Sequence, residues 1–436
     1  MRRAFVLALL SLAVLAAPAG AQQVPSTTTP GVSAVQGTGG RVTIRFADTP
    51  AGRAAYARVA GKLVTIRCQH VGETPLVGSG PVGVVSTRIR MARTLSSIRL
   101  RLRGDKNLCT LGPSLGGVVV PADTTARRLL ADVGAGVALL ATNERIRTIG
   151  ALATLRKVKG AVRLSSRTAN PPRGRVGIFG DRGGGPRATV TVTRYGHRLF
   201  VEQTGETLRT NVIGPLDQFQ PFQPPRGVDL PLGPRPPAGT PLPATSDPEV
   251  TATRDGKLVS VHFSGGARRA VTRARVDVEC IESQPAAGLV VPATTGASGR
   301  GPQPGRPLRL RIARRFHLCV ATFAGHLARI ALDQTGRVAL EEGSVAASLD
   351  RVLHNAGAGA TGAYPTAEAL SARYRTAVAA LAASTDTPPD RRVAVWSNGA
   401  DHLIVTAIAR TGRRLFIDVD GPVVTTNTLG LALPSA

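Results

Sequence analysis

Aromatic residues are scarce in this chain: one Trp, four Tyr and ten Phe, 3% of 436 residues. That weighs against the stacking platforms that hold single-stranded nucleic acid, and against the flat aromatic surfaces of many sugar-binding modules. Acids are few as well, 27 Asp and Glu against 55 Lys and Arg. No paired-carboxylate spacing stands above chance, which leaves little material for acid–base catalysis. Lysine supplies only five of the basic residues, the imbalance that a GC-rich coding sequence gives. There are four cysteines, none in a C-x-x-C and none beside a His pair, which disfavours zinc. His70 and His317 each lie two residues from a cysteine, but neither recurs at the matching place elsewhere. After the N-terminus no stretch is apolar and long enough to cross a bilayer, which needs about 20 residues.

Residues 1–21 read as a signal peptide. Arg2 and Arg3 form a positive n-region, Ala4 to Ala17 an apolar core, and Ala19-Gly20-Ala21 a cleavage site before Gln22. The mature chain is therefore expected to be secreted or held in the cell envelope, where disulfides persist.

What the chain does have is written twice. Arg198-Leu199-Phe200-Val201-Glu202 with Thr210-Asn211-Val212-Ile213-Gly214 matches Arg414-Leu415-Phe416-Ile417-Asp418 with Thr426-Asn427-Thr428-Leu429-Gly430. Ile98-Arg99-Leu100-Arg101-Leu102 with Leu108-Cys109 matches Leu308-Arg309-Leu310-Arg311-Ile312 with Leu318-Cys319. Each copy has one earlier cysteine, Cys68 or Cys280. Four cysteines allow three pairings. A duplicated unit selects the one that closes within each copy, Cys68 to Cys109 and Cys280 to Cys319.

The expected organisation is a flexible lead at 22–40, copy one at 41–214, a Pro-rich linker at 215–248 and copy two at 250–430. Eleven prolines in 34 residues make the linker semi-rigid. Strands are expected at Val42 to Phe46 and Val259 to Phe263, at the two cysteine-bearing segments, and in a closing meander of each copy. Tyr195-Gly196-His197 and Thr411-Gly412-Arg413 are expected hairpin turns. Ser344 is placed as the cap of a helix ending at Gly357, with a second helix from Thr366 to Ala383 and its counterpart from Thr148 to Leu164. Asp-x-Thr-x-Arg recurs at Asp123 and Asp333 and suits caps and turns. Thr210-Asn211 and Thr426-Asn427 also suit turns. The fold class expected is α+β: two tandem homologous domains, each an antiparallel sheet with a small helical layer and one intradomain disulfide.

Charge differs between the copies. Residues 41–214 carry 29 basic and 9 acidic side chains, residues 250–430 carry 22 and 14, and the whole chain is formally +28. In Ile98 to Arg103 every second residue is Arg, so Arg99, Arg101 and Arg103 share a strand face. The first cysteine's strand adds Arg67 in copy one. Copy two has Asp277 and Glu279 in that strand, where they are expected to pair across to Arg309 and Arg311. The expectation is a non-enzymatic protein whose copy one contacts an anionic polymer, or a membrane or wall surface, through Arg67, Arg99, Arg101 and Arg103. No specific nucleic-acid motif, metal site or cofactor is expected.

The alternative is an extracellular serine hydrolase using Ser114, in Gly112-Pro113-Ser114-Leu115-Gly116. A nucleophile elbow needs a helix next, and Val118-Val119-Val120-Pro121 disfavours one. Gly180 to Gly185 lacks the lysine and the helix of a phosphate loop and reads as a turn between strands.

Overall fold

The computed structural model describes residues 31–72, 82–94, 97–101, 106–111, 119–180, 185–213, 240–272, 275–281, 294–300, 306–313, 315–324, 326–356, 363–373, 378–390 and 392–428. The segment expected as a signal peptide, most of the expected lead, most of the Pro-rich stretch, Arg103, Ser114 and Gly357 lie outside the described residues.

The first half contains β1 (Val32–Gln36), β2 (Arg41–Phe46), α1 (Pro50–Ala57), β3 (Leu63–His70), β4 (Val82–Arg90), β5 (Ile98–Arg101), β6 (Leu108–Leu111) and β7 (Val119–Pro121). Two helices and five strands follow: α2 (Thr124–Ile149), α3 (Ala151–Lys157), β8 (Ala161–Arg163), β9 (Val176–Phe179), β10 (Arg187–Val192), β11 (Arg198–Thr204) and β12 (Thr207–Thr210). The second half runs β13 (Val250–Asp255), β14 (Leu258–Phe263), α4 (Gly265–Val271), β15 (Arg275–Ile281), β16 (Thr294–Arg300), β17 (Leu308–Arg311), β18 (Leu318–Phe323) and β19 (His326–Ala331). It closes with α5 (Gln334–Asn355), α6 (Ala367–Arg373), β20 (Val378–Ala380), β21 (Val393–Ser397), β22 (His402–Ile408), β23 (Arg414–Asp420) and β24 (Val423–Thr426). The architecture is α+β, and no described helix is long and apolar enough to cross a membrane.

Each half differs from the single helix-covered sheet expected. It opens with two sheets, three-stranded β1-β2-β5 over four-stranded β4-β3-β6-β7, and correspondingly β13-β14-β17 and β16-β15-β18-β19. Alternation along each strand turns apolar residues to one side. Val42, Ile44, Ile98 and Leu100 of the first sheet share one core with Val64, Ile66, Cys68, Cys109 and Leu111 of the second. The cysteines are direct cross-strand partners, Cys68 with Cys109 on β3 and β6, Cys280 with Cys319 on β15 and β18, and both pairs are disulfide-bonded. The loops they close are similar, 41 and 39 residues of separation.

The closing meanders do not stay separate. They join edge to edge in one ten-stranded sheet, β20-β21-β22-β23-β24-β12-β11-β10-β9-β8. Its outermost pairs, β8 with β9 and β20 with β21, are parallel. At the junction Leu208 faces Thr426, Arg209 faces Thr425 and Thr210 faces Val424. Side chains cross over as well: Val423 packs against the cluster of Leu164, Val190 and Phe200, and Ile213 against the core beneath β21 to β24.

The Thr-Asn pairs end strands rather than make turns. Where β12 stops, the Asn211 side chain continues the ladder, accepting from Phe200 N–H (2.9 Å) and donating to Arg198 C=O (2.7 Å). Thr210 Oγ1 donates to Phe200 C=O and accepts from Val212 N–H. Asn427 and Thr426 do the same for Phe416, Arg414 and Thr428. This accounts for the shared Arg-Leu-Phe and Thr-Asn blocks. Gly196 and Gly412 sit in the hairpins at φ +88° and +82°, a region open to glycine.

Other expectations shift. Val32 to Gln36, inside the segment expected as a flexible lead, forms β1, with Val32 and Ala34 buried against β2. The last part of the expected linker, 240–248, docks on the second half: Ala331 N–H donates to Ala244 C=O, and Arg337 donates to Leu242 C=O. Helix α5 begins after Asp333, whose Oδ1 accepts from Gly336 N–H, so Ser344 lies inside the helix and donates to Leu340 C=O. Asp123 caps α2 likewise through Ala126 N–H. The helix expected from Thr366 is only α6, and strand β20 occupies Val378 to Ala380. The helix expected at Thr148 to Leu164 is the end of α2 and then α3, parted at Gly150, φ +86°, and its last part, Ala161 to Arg163, is strand β8 instead.

Removing either ladder-closing amide leaves a strand N–H and C=O without their partner. Asn211→Ala and Asn427→Ala should each lower the unfolding free energy by about 1–2 kcal/mol. Urea unfolding followed by circular dichroism measures this, and unchanged midpoints in both variants would contradict the role.

Candidate anion-binding surface

The arginine strand is placed differently from the expectation. β5 pairs with β2, not with the cysteine strand β3, which lies in the opposite sheet. Arg99 and Arg101 therefore do not adjoin Arg67 as expected, and Arg103 lies outside the described residues. The second half corrects in the same way: Arg309 faces Ser260 and Arg311 faces Leu258, while Asp277 and Glu279 on β15 pair with β16 and β18. Asp277 holds Arg275 of its own strand, Nε to Oδ1 at 3.2 Å.

Two other arginine faces exist instead. On β2 the inward residues are Val42, Ile44 and Phe46, so Arg41 and Arg45 point out, both exposed. On β5, Ile98 and Leu100 are buried and Arg99 and Arg101 exposed. Arg41 is the direct partner of Arg101, and Arg99 is opposite Thr43, between the levels of Arg41 and Arg45. β1, β2 and β5 contain no acidic residue. Among the described residues none of these four arginines has an ion pair or side-chain hydrogen bond. On the opposite sheet, Arg67 of β3 and Arg88 and Arg90 of β4 are exposed, with Thr65 facing Arg88 and Leu63 facing Arg90.

Corresponding positions of the second half are less basic. The same register puts Leu258 where the first half has Arg41 and His262 where it has Arg45, with Asp255 on the adjoining strand beside Leu258. Glu279, in the position of Arg67, precedes Cys280 as Arg67 precedes Cys68. The sequence reading missed Arg41, Arg45, Arg88 and Arg90. The alternation Arg41-Val42-Thr43-Ile44-Arg45 held the signal, since a half-buried strand with Val42 and Ile44 inside must turn both arginines outward.

Compared with protein-family models, with curated proteins and with solved structures, the chain matches none of them.

Ser114 lies outside the described residues; the strands before and after it, β6 and β7, are antiparallel partners that pair Leu108 with Pro121. Gly180 to Gly185 connects antiparallel β9 and β10. Among the described residues no group of three or more His, Cys, Asp or Glu is placed to hold a metal ion.

Carboxylates anchor the hairpins and helix ends through partners that change between halves. Asp132 of α2 holds His197 Nδ1 at 2.7 Å; in the second half Glu342 of α5 holds Arg413 of the matching hairpin at 2.6 Å. Arg413 also reaches Glu206 in the β11–β12 turn of the first half, at 2.7 Å. At the helix caps Asp123 accepts from Asn107 Nδ2, whereas Asp333 meets His317 Nδ1 at 2.6 Å. On the sheet Glu202 pairs with Arg209, and Asp418 with His402.

Burial pushes the Asp132 carboxyl above the usual carboxylate range, against the opposing pull of His197 and Thr193. Asp418 rises for the same reason, with His402 opposing and Asp420 adding to the rise. A raised carboxyl stabilises the fold below its unfolded pKa and loses that contribution as pH climbs through the folded value. Wild type should therefore lose melting temperature relative to Asp132→Asn as pH rises through the mildly acidic range. Calorimetry at stepped pH reads this, and a constant difference would refute it.

Proposed function

We propose that this is an exported, non-enzymatic protein built from two duplicated α+β units, whose first unit binds an anionic polymer or surface through outward arginines. One observation carries the reading: Arg41, Arg45, Arg99 and Arg101 share one solvent face with no acid on its three strands. Like charges side by side are unfavourable unless a partner or solvent ions screen them. A bound polyanion supplies that screening, and guanidinium forks pair bidentately with phosphate, sulfate or carboxylate groups.

Duplication is supported by the matched sequence blocks, by the same element order in both halves and by the two within-half disulfides. The disulfides are compatible with an oxidising compartment, and the N-terminal 21 residues supply an export signal. The second unit, with Leu258, His262, Asp255 and Glu279 at or beside the corresponding places, is the less cationic twin.

The test is direct binding of linear polyphosphate at several salt concentrations. The variant R41Q/R45Q/R99Q/R101Q should bind about tenfold or more weakly at low salt and with a shallower salt dependence, as fewer counterions are released. R309Q/R311Q should change binding little. Equal loss in both variants would show only net charge at work and would remove the specific face.

A further inference from the structure

The first sandwich is cationic on both outer sides. Arg41, Arg45, Arg99 and Arg101 lie over the β1-β2-β5 sheet, and Arg67, Arg88 and Arg90 over the β4-β3-β6-β7 sheet. Both sets point away from one core, because the residues alternating with them, Val42, Ile44, Leu100, Val64 and Ile66, meet inside it. Facing sheets are spaced by about 10 Å, and an arginine side chain extends outward on either side. The two guanidinium layers are thus separated by more than the Debye length of about 10 Å at 0.1 M salt. Anions on opposite faces do not repel one another appreciably, and occupation of one face leaves the other free.

Resting on the function proposed above, we infer that the first unit holds two separate segments of a linear polyanion at once, one on each outer face, and so cross-links it. Among the described residues neither face presents an aromatic side chain to seat in a lipid interface: Phe46 is buried inward, the outward residues of β2 and β3 are Arg41, Thr43, Arg45, Leu63, Thr65 and Arg67, and the large exposed apolar side chains there are Val35 and Leu63 alone. A flexible chain also follows a twisted face that a flat bilayer touches only locally. A polymer therefore fits both faces better than a membrane does.

The experiment uses the full chain with short and long linear polyphosphate. Titration calorimetry with the short form should give two sites per protein in wild type. It should give one site in R67Q/R88Q/R90Q with the wild-type affinity of the four-arginine face, and one site about tenfold or more weaker, on the three-arginine face, in R41Q/R45Q/R99Q/R101Q. Long polyphosphate should raise light scattering with wild type and with the charge-matched surface variant R156Q/K157Q/K159Q/R173Q, but not with either face variant. Melting curves establish that the variants are folded. One site in wild type, or scattering that persists when a face is neutralised, overturns cross-linking and leaves the binding proposal standing. Undiminished binding by R41Q/R45Q/R67Q/R88Q/R90Q/R99Q/R101Q, with both faces neutralised, overturns both. Aggregation of anionic phosphatidylglycerol vesicles without binding of polyphosphate overturns the choice of a polymer.

Discussion

The pairing of β12 with β24 is the contact on which the arrangement of the halves depends. Three residue pairs join two five-stranded meanders into a single sheet. The register has an internal symmetry. Thr210 and Thr426 hold the same place in the Thr-Asn motif, so Arg209 and Thr425 are corresponding positions, and they face each other. Leu208 opposite Thr426 is then matched by Val424 opposite Thr210. This is the pattern of a two-fold interface, in which the same patch meets itself, here within one chain. Reciprocal packing of Val423 and Ile213 and the Arg413–Glu206 ion pair sit on either side of it.

The motif that ends each strand also positions this junction. Because Asn211 and Asn427 complete the ladder with side-chain amides, β12 and β24 can stop after Thr210 and Thr426 without leaving strand β11 or β23 unpaired at that level. The other edges of the two short strands then pair with each other over three residues. A buried sheet edge needs a partner for every N–H and C=O, and here the partner is the corresponding strand.

Local features were legible in the sequence where one short segment carried all the information. Glycine marked the two hairpins, and Asp123 and Asp333 stood where caps form; the disulfides were indicated by the repeated blocks, each of which holds two cysteines. What was not legible depended on partners remote in the chain. Arg99 and Arg101 announced an exposed strand face, but which strand lay beside them rested on β5 joining β2 across a stretch that includes β3 and β4. Helix α2 escaped notice because its buried stripe includes Asp132, Gly136, Thr142 and Asn143, which blur the apolar period. Gly136 belongs there because a Cβ at that point would run into Val212. Strand β20 was read as helix because Ala-rich sequence favours helix locally, while pairing with β21 decides the outcome.

Joining through the sheet makes covalent continuity between the halves mechanically redundant. The chain between Ile213 and Thr240 ties them covalently, while the ten-stranded sheet fastens them as a seam. A protease cut in that stretch would thus yield two fragments on a denaturing gel and one particle on a native column. Loss of the tether would replace a fixed local concentration by ordinary dilution, so the nicked protein would come apart only when dilute enough for the seam alone to fail.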